Sequence, residues 1–142
     1  MIKAITKTST FTRETSVEAS IHADQPIVWA LLTNIADYPR WNSTIISISG
    51  KLVAGEKIKL KSTLAPQRTF TLKVKKIVEG KMFTWGDGMG QRVYTLEKRG
   101  IDTQFRMVEK IGGPLFPLFS RMIITNIFTV GKIYHVIYLQ QQ

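Results

Sequence analysis

The 142-residue chain contains no cysteine. That excludes a disulfide framework, a thiolate-ligated metal and a thiol nucleophile. Acidic residues are scarce, ten against twenty basic ones, which leaves a net charge of +10. Histidine occurs only as His22 and His135. There is no HExxH pattern, no carboxylate cluster and no His-rich spacing, so no metal or cofactor is expected. The opening "MIKAITKTST" lacks the apolar core of a secretory signal. It predicts a cytoplasmic protein whose polar first ten residues are loose. Hydrophobic residues make up 44% and charged residues 21%, ordinary globular usage that argues against disorder. With no repeat or linker, residues 1–142 read as one domain.

The shortage of acids is uneven. Between Lys51 and Lys81 nine basic residues face only Glu56 and Glu79, which accounts for +7 of the total. Lysines alternate with apolar residues there, which reads as a solvated outer sheet face. The competing reading is contact with an anionic surface. Nucleic acid is disfavoured, because the outward residues between the lysines are mostly not aromatic.

"ETSVEASIHA" (14–23) alternates, with Val17, Ala19 and Ile21 on one side, and predicts a half-buried strand. Asp24 offers a side-chain oxygen to free helix amides, and Pro26 suits a first helical turn. Val28, Leu31, Leu32 and Ile35 follow at helical spacing. Pro39 disfavours helical geometry at Tyr38, so the helix should stop near Asp37, with "YPRWN" (38–42) as a short second turn. The period then changes to two. Ile46 and Ile48 open a strand. Ile58, Leu60 and Ser62 alternate with lysines, as do Phe70, Leu72 and Val74 with Thr71, Lys73 and Lys75. Phe83 and Trp85 share a face, "GDGMG" (86–90) breaks the run, and strands near 91–98 and 103–111 are joined by "RGID". Short hairpin connections predict an antiparallel sheet.

From Leu115 to Leu139 the only formal charges are Arg121 and Lys132. Phe116, Phe119, Ile123, Ile127, Val130, Tyr134 and Ile137 form one helical stripe, while Arg121, Thr125, Thr129, Lys132 and His135 form a polar one. A lipid-spanning helix would not keep that polar face, so an amphipathic helix packed on the sheet is expected and no transmembrane segment.

"QPIVWALLTNIADYPRWN" (25–42) resembles the opening of the START-like (SRPBCC) superfamily, in particular its polyketide cyclase/dehydrase-like branch. "FTW" (83–85), "RVYTL" (92–96) and "MVEKIGGPL" (107–115) resemble later parts of that pattern, in the right order. The departure is "VGKIYHVIYLQQQ" at the end, free of acids where such proteins carry a charged helix. Those last turns could fray or pack into a homodimer. The resemblance implies an α+β helix-grip fold. In it a curved seven-stranded antiparallel sheet surrounds a long C-terminal helix, with two short helices after strand 1 and an apolar cavity between sheet and helix. Its walls would be Trp29, Tyr38, Trp41, Leu60, Phe70, Leu72, Phe83, Trp85, Arg92, Tyr94, Phe105, Met107, Glu109, Phe116, Phe119, Ile123 and Ile127. Tyr38 and Trp41 are equally readable as core plugs at a helix turn. "GDGMG" reads as a hairpin or as a flap at the cavity mouth, and "GGPLFPLF" (112–119) as its counterpart.

Strand parity sharpens the site. Tyr94 and Leu96 on one strand, with Phe105, Met107 and Ile111 on the next, define the inward side, and Arg92 and Glu109 share it. If the "RGID" turn sets Lys98 opposite Thr103, then Leu96 faces Phe105, Tyr94 faces Met107 and Arg92 faces Glu109. An opposite-charge pair inside an apolar cavity needs further hydrogen bonds to offset desolvation. It would serve as a polar handle for a ligand's carbonyl, hydroxyl or carboxylate. Arg92, Glu109 and Tyr94 are also the only candidates for catalysis, of a metal-free cyclase or dehydratase type. His22 and His135 read as surface residues. The leading expectation is a binding module for an apolar or amphipathic small molecule, such as a lipid, polyketide or aromatic metabolite. The enzyme and the anionic-surface contact are the alternatives.

Overall fold

The computed structural model describes residues 2–9, 12–41, 45–63, 65–88 and 90–112. Eight strands form one antiparallel sheet: β1 (Ile2–Thr8), β2 (Thr12–Ile21), β3 (Ile45–Ser49), β4 (Lys57–Ser62), β5 (Thr69–Val78), β6 (Met82–Gly86), β7 (Gly90–Arg99) and β8 (Asp102–Gly112). Their spatial order is β1-β2-β8-β7-β6-β5-β4-β3. The expected seven strands become eight because Ile2–Thr8, read from sequence as a loose polar tail, pairs along β2 from Ile2↔Ala19 to Thr8↔Arg13. The exposed side chains of Lys3, Ile5, Thr6 and Lys7 give no core-facing signal; the pairing satisfies the backbone groups of β2's outer edge.

Between β2 and β3 the chain crosses to the opposite edge of the sheet through helix α1 (Gln25–Thr33), a 3₁₀ turn (Ile35–Asp37) and helix α2 (Tyr38–Trp41). Val28, Trp29, Leu31, Leu32 and Ile35 are buried, as their spacing requires. The expected side-chain cap is not made. Asp24 instead uses its backbone carbonyl, which accepts from the Ile27 and Val28 amides at 3.0 and 3.2 Å. Tyr38 also departs from expectation, since it is right-handed helical (φ −54°, ψ −38°) although Pro39 follows. Its buried ring and a hydroxyl that donates to the Leu32 carbonyl fix that geometry, so tertiary contact overrides the local preference. Pro39 then falls in the first turn of α2, where a missing N–H costs nothing.

The β7–β8 register matches the sequence expectation, with Arg92↔Glu109, Tyr94↔Met107, Leu96↔Phe105 and Lys98↔Thr103. The β3 expectation fails by one residue. An irregularity between Ile45 and Ser47 shifts the register, so Ile48 is buried while Ile46 is 44% exposed. The inner face of the sheet carries the core: Val17, Ala19 and Ile21 of β2, Phe105 and Met107 of β8, Tyr94 and Leu96 of β7, Phe83 and Trp85 of β6, and Val74 and Ile58 further out. Helix α1 closes this core against β7 and β8. The expected C-terminal helix lies outside the described residues, as do the "GGPLFPLF" bend from its second residue, Gly113, and His135. Among the described residues no helix is long and apolar enough to cross a membrane.

Candidate functional site

The inner face is built in cross-strand rows. One row runs Ile77–Phe83–Tyr94–Met107–Val17, and the next, toward the β6–β7 hairpin, runs Val74–Trp85–Arg92–Glu109–Thr15. From Phe83 to Val17 the first row is buried and rich in aromatic contacts. Phe83 stacks on Tyr94 at 4.6 Å between centroids and meets Trp29 edge-on at 5.8 Å, and Tyr94 lies 6.1 Å from Phe105. The second row borders a cavity of about 160 Å³. Ile45, Leu60, Phe70, Leu72, Trp85 and Ile111 supply its apolar wall, and Arg92 with Glu109 its polar side. Gly86, Asp87, Gly90 and Gln91 of the hairpin also line it.

Of the residues named from the sequence, Leu60, Phe70, Leu72, Trp85, Arg92 and Glu109 border this space. Trp29, Phe83, Tyr94, Phe105 and Met107 have the expected parity or position but are committed to the packed row and its neighbours. The Trp29 indole donates to Glu79 Oε1 at 2.9 Å, beside the β5–β6 turn. Tyr38 is a core plug, 2% exposed and packed 6.2 Å from Trp85, and is not among the lining residues. The side chains of Trp41, Phe116, Phe119, Ile123 and Ile127 lie outside the described part. Ile111 and Gly90 were missed from the expected set, although they share the parity of Glu109 and Arg92. Gln91 has the opposite parity and lines the cavity at the strand end, which no alternation rule reveals.

The charged pair is close. Arg92 Nε donates to Glu109 Oε2 at 2.5 Å, Nη2 donates to the same oxygen, and Nη1 donates to the Tyr94 hydroxyl at 3.0 Å. The Glu109 side chain is 7% exposed and that of Arg92 22%. Burial works against the guanidinium charge, but the Glu109 carboxylate and then Tyr94 outweigh it and hold Arg92 well above its ordinary value. Burial likewise raises Tyr94, against the pull of Arg92, so its hydroxyl stays neutral. Thr15, opposite Glu109 on β2, is buried, and among the described residues its hydroxyl has no hydrogen-bond partner. Three donated hydrogen bonds hold the guanidinium in a fixed orientation against the Glu109 carboxylate and the Tyr94 hydroxyl.

"GDGMG" forms the β6–β7 hairpin beside the cavity. The Asp87 amide donates to the Gly90 carbonyl at 2.9 Å, and the Asp87 carboxylate accepts from the Gly90 amide at 3.0 Å. A Cβ on Gly90 would sit 2.8 Å from the Lys110 carbonyl, so the hairpin can lie this close to β8 only with glycine there. The same hairpin borders a wider cleft of about 670 Å³ at the strand ends, with Lys7, Arg13, Lys75 and Lys110 among its walls. The two spaces share Asp87, Gly90, Gln91 and Ile111. His22 is a surface residue, as expected, but its Nδ1 meets Asp102 Oδ1 at 2.8 Å. That partner is 80 positions away, so local spacing could not show it.

The fold is START-like, as superposition on solved structures shows. A START superfamily protein from Mycobacterium smegmatis superposes with a TM-score of 0.68 at 12% identity, over 89% of this chain and 98% of its own. CalU16 from Micromonospora echinospora gives 0.65 at 16% identity, over 94% and 86%. A conserved protein of unknown function from Enterococcus faecalis gives 0.76 at 17%, over 95% and 77%. These likenesses establish the fold. No family model and no curated protein matches the chain.

Proposed function

We propose that the protein binds an apolar or amphipathic small molecule at the hairpin end of the inner face. The observation that carries this reading is an apolar cavity with a hydrogen-bonded charge pair on its wall, Glu109 buried and Arg92 partly so. Apolar lining plus a few convergent polar groups is the ordinary design of a small-molecule site. A space of about 160 Å³ is below the ~300–1,000 Å³ of sites that enclose drug-sized ligands. It suits one ring or a short chain, with the remainder of the guest continuing past the hairpin into the wider cleft. The walls of that cleft carry Lys7, Arg13, Lys75 and Lys110 against Glu14 and Asp87, a balance that favours an amphipathic guest with an anionic or strongly polar end. Arg92 and Glu109 act as the handle for a carbonyl, hydroxyl or carboxylate, and Trp85 and Phe70 as the flat apolar walls.

The test is native mass spectrometry of protein purified from its host, followed by titration of the co-purified compound into wild type and Glu109→Gln. Glutamine keeps an acceptor for Arg92, so the expected result is weaker binding by about tenfold, the scale of one charged hydrogen bond, with little change in melting temperature. A large fall in melting temperature with unchanged affinity would assign the pair a purely structural role. Turnover of the compound, lost in Glu109→Gln and Arg92→Ala, would convert the binding site into an active site of the cyclase or dehydratase type.

A further inference from the structure

The outer face of the sheet is electrostatically divided. On β1, β2 and β8 opposite charges face each other across strands: Lys3 and Arg106 flank Glu18, and Lys7 and Lys110 flank Glu14. Arg106 reaches Glu18 at 3.4 Å and Lys110 reaches Glu14 at 3.7 Å. On β4 and β5 this compensation is missing. Lys57, Lys59, Lys61, Lys73, Lys75 and Lys76 are all exposed, and β3, β4, β5 and β6 contain no acidic residue. Lys57 and Lys73 are direct cross-strand partners, a like-charge pair that weakens the sheet. Among the described residues none of the six forms an ion pair. Of the acids in the flanking turns, Glu79 is engaged by the Trp29 indole and Glu56 is exposed.

We infer that this lysine face of β4 and β5 docks on an anionic membrane surface. The residues between the lysines are short and polar, namely Thr69 and Thr71, with Ser47 and Ser49 on the neighbouring β3. They leave the ammonium groups as the outermost feature of a patch about 14 Å long, from the ~3.4 Å rise per strand residue. A diffuse lipid potential is met well by such point charges. Single-stranded nucleic acid would call for aromatic platforms among them, and there are none. At the adjoining edge Ile46 is 44% and Val53 52% exposed, the kind of aliphatic side chain that a headgroup layer accepts. The inference does not depend on the cavity: an empty cavity would leave it standing.

Co-sedimentation of the full chain with phosphatidylcholine vesicles, with and without phosphatidylglycerol, tests it. Binding is expected only with the anionic lipid and is lost as salt rises. Lys59→Ala, Lys61→Ala and Lys73→Ala each weaken it about fivefold, whereas Lys3→Ala, with the same change in net charge, leaves it unaltered. Lys73→Glu keeps the experiment independent of folding. It sets a carboxylate opposite Lys57, so melting temperature holds or rises while vesicle affinity falls further than with alanine. Equal binding to neutral vesicles, no binding to either, equal losses with Lys3→Ala, or binding to duplex DNA in place of vesicles would each overturn the inference.

Discussion

The two ends of the inner face use the same residue classes and reach opposite results. Around Phe83 the rings of Tyr94, Trp85 and Trp29 stand at 4.6, 5.3 and 5.8 Å; one row on, Trp85 also joins Phe70 and Leu72 in bordering a cavity. The difference lies in what stands across from them. Helix α1 supplies Trp29 to the packed row, whereas the row at the hairpin end has a charged pair and glycines, which hold shape without filling volume. Burial of aromatic area therefore stabilises the molecule at one end, and the other end is the one proposed to take a guest. Substitutions at the two ends should separate accordingly.

Phe83→Ala should have the largest effect, a loss of about 3–5 kcal/mol as expected for a fully buried aromatic, read by denaturant unfolding. If it cost less than about 1 kcal/mol, the packed end would not be the stabilising one. Leu72→Trp fills the cavity from a half-buried position, so guest affinity should fall at least tenfold while stability moves by less than about 1 kcal/mol. Retained affinity would place the guest elsewhere.

A pH experiment sharpens the same contrast. Burial raises the hydroxyl of Tyr38, and that of Tyr94, above the ordinary tyrosine value. The unfolded chain therefore releases these protons first, and the stability they contribute, full below about pH 10, is lost as pH rises toward the folded values. Melting temperature should fall above that pH, and less steeply in Tyr38→Phe. Parallel curves would show that the Tyr38 hydroxyl is not held neutral. The smallest effect belongs to Thr15→Val, which removes a buried unbonded hydroxyl at nearly constant shape and should be neutral or stabilising by up to about 1 kcal/mol. A drop in guest affinity instead would show that the guest uses this hydroxyl.

The hairpin that carries the charged pair was readable because parity and one short turn determine every partner along it; Arg92 opposite Glu109 follows from Lys98 opposite Thr103. Helix α1 was readable from its apolar spacing. Three features were not. The described side chains of β1, Lys3, Ile5, Thr6 and Lys7, are all exposed, and its pairing with β2 is what places it in the sheet. The irregularity at Ile45–Ser47 resets parity midway, and a period-two count cannot see an extra residue. The division between lining and packed residues depends on what stands opposite each side chain, and alternation reports only which face a residue occupies.

That irregularity has a bearing on solubility. Among the described residues β1 and β3 are the outermost strands, and an uncovered outer strand offers unpaired amides and carbonyls to any neighbouring copy. At the β3 margin the strand is five residues long and interrupted after its first residue, too short and too bent to template a regular ladder. One surplus residue thus guards against fibre-like stacking, and restoring regular alternation there by deleting Ile46 would give the protein a straight, sticky border.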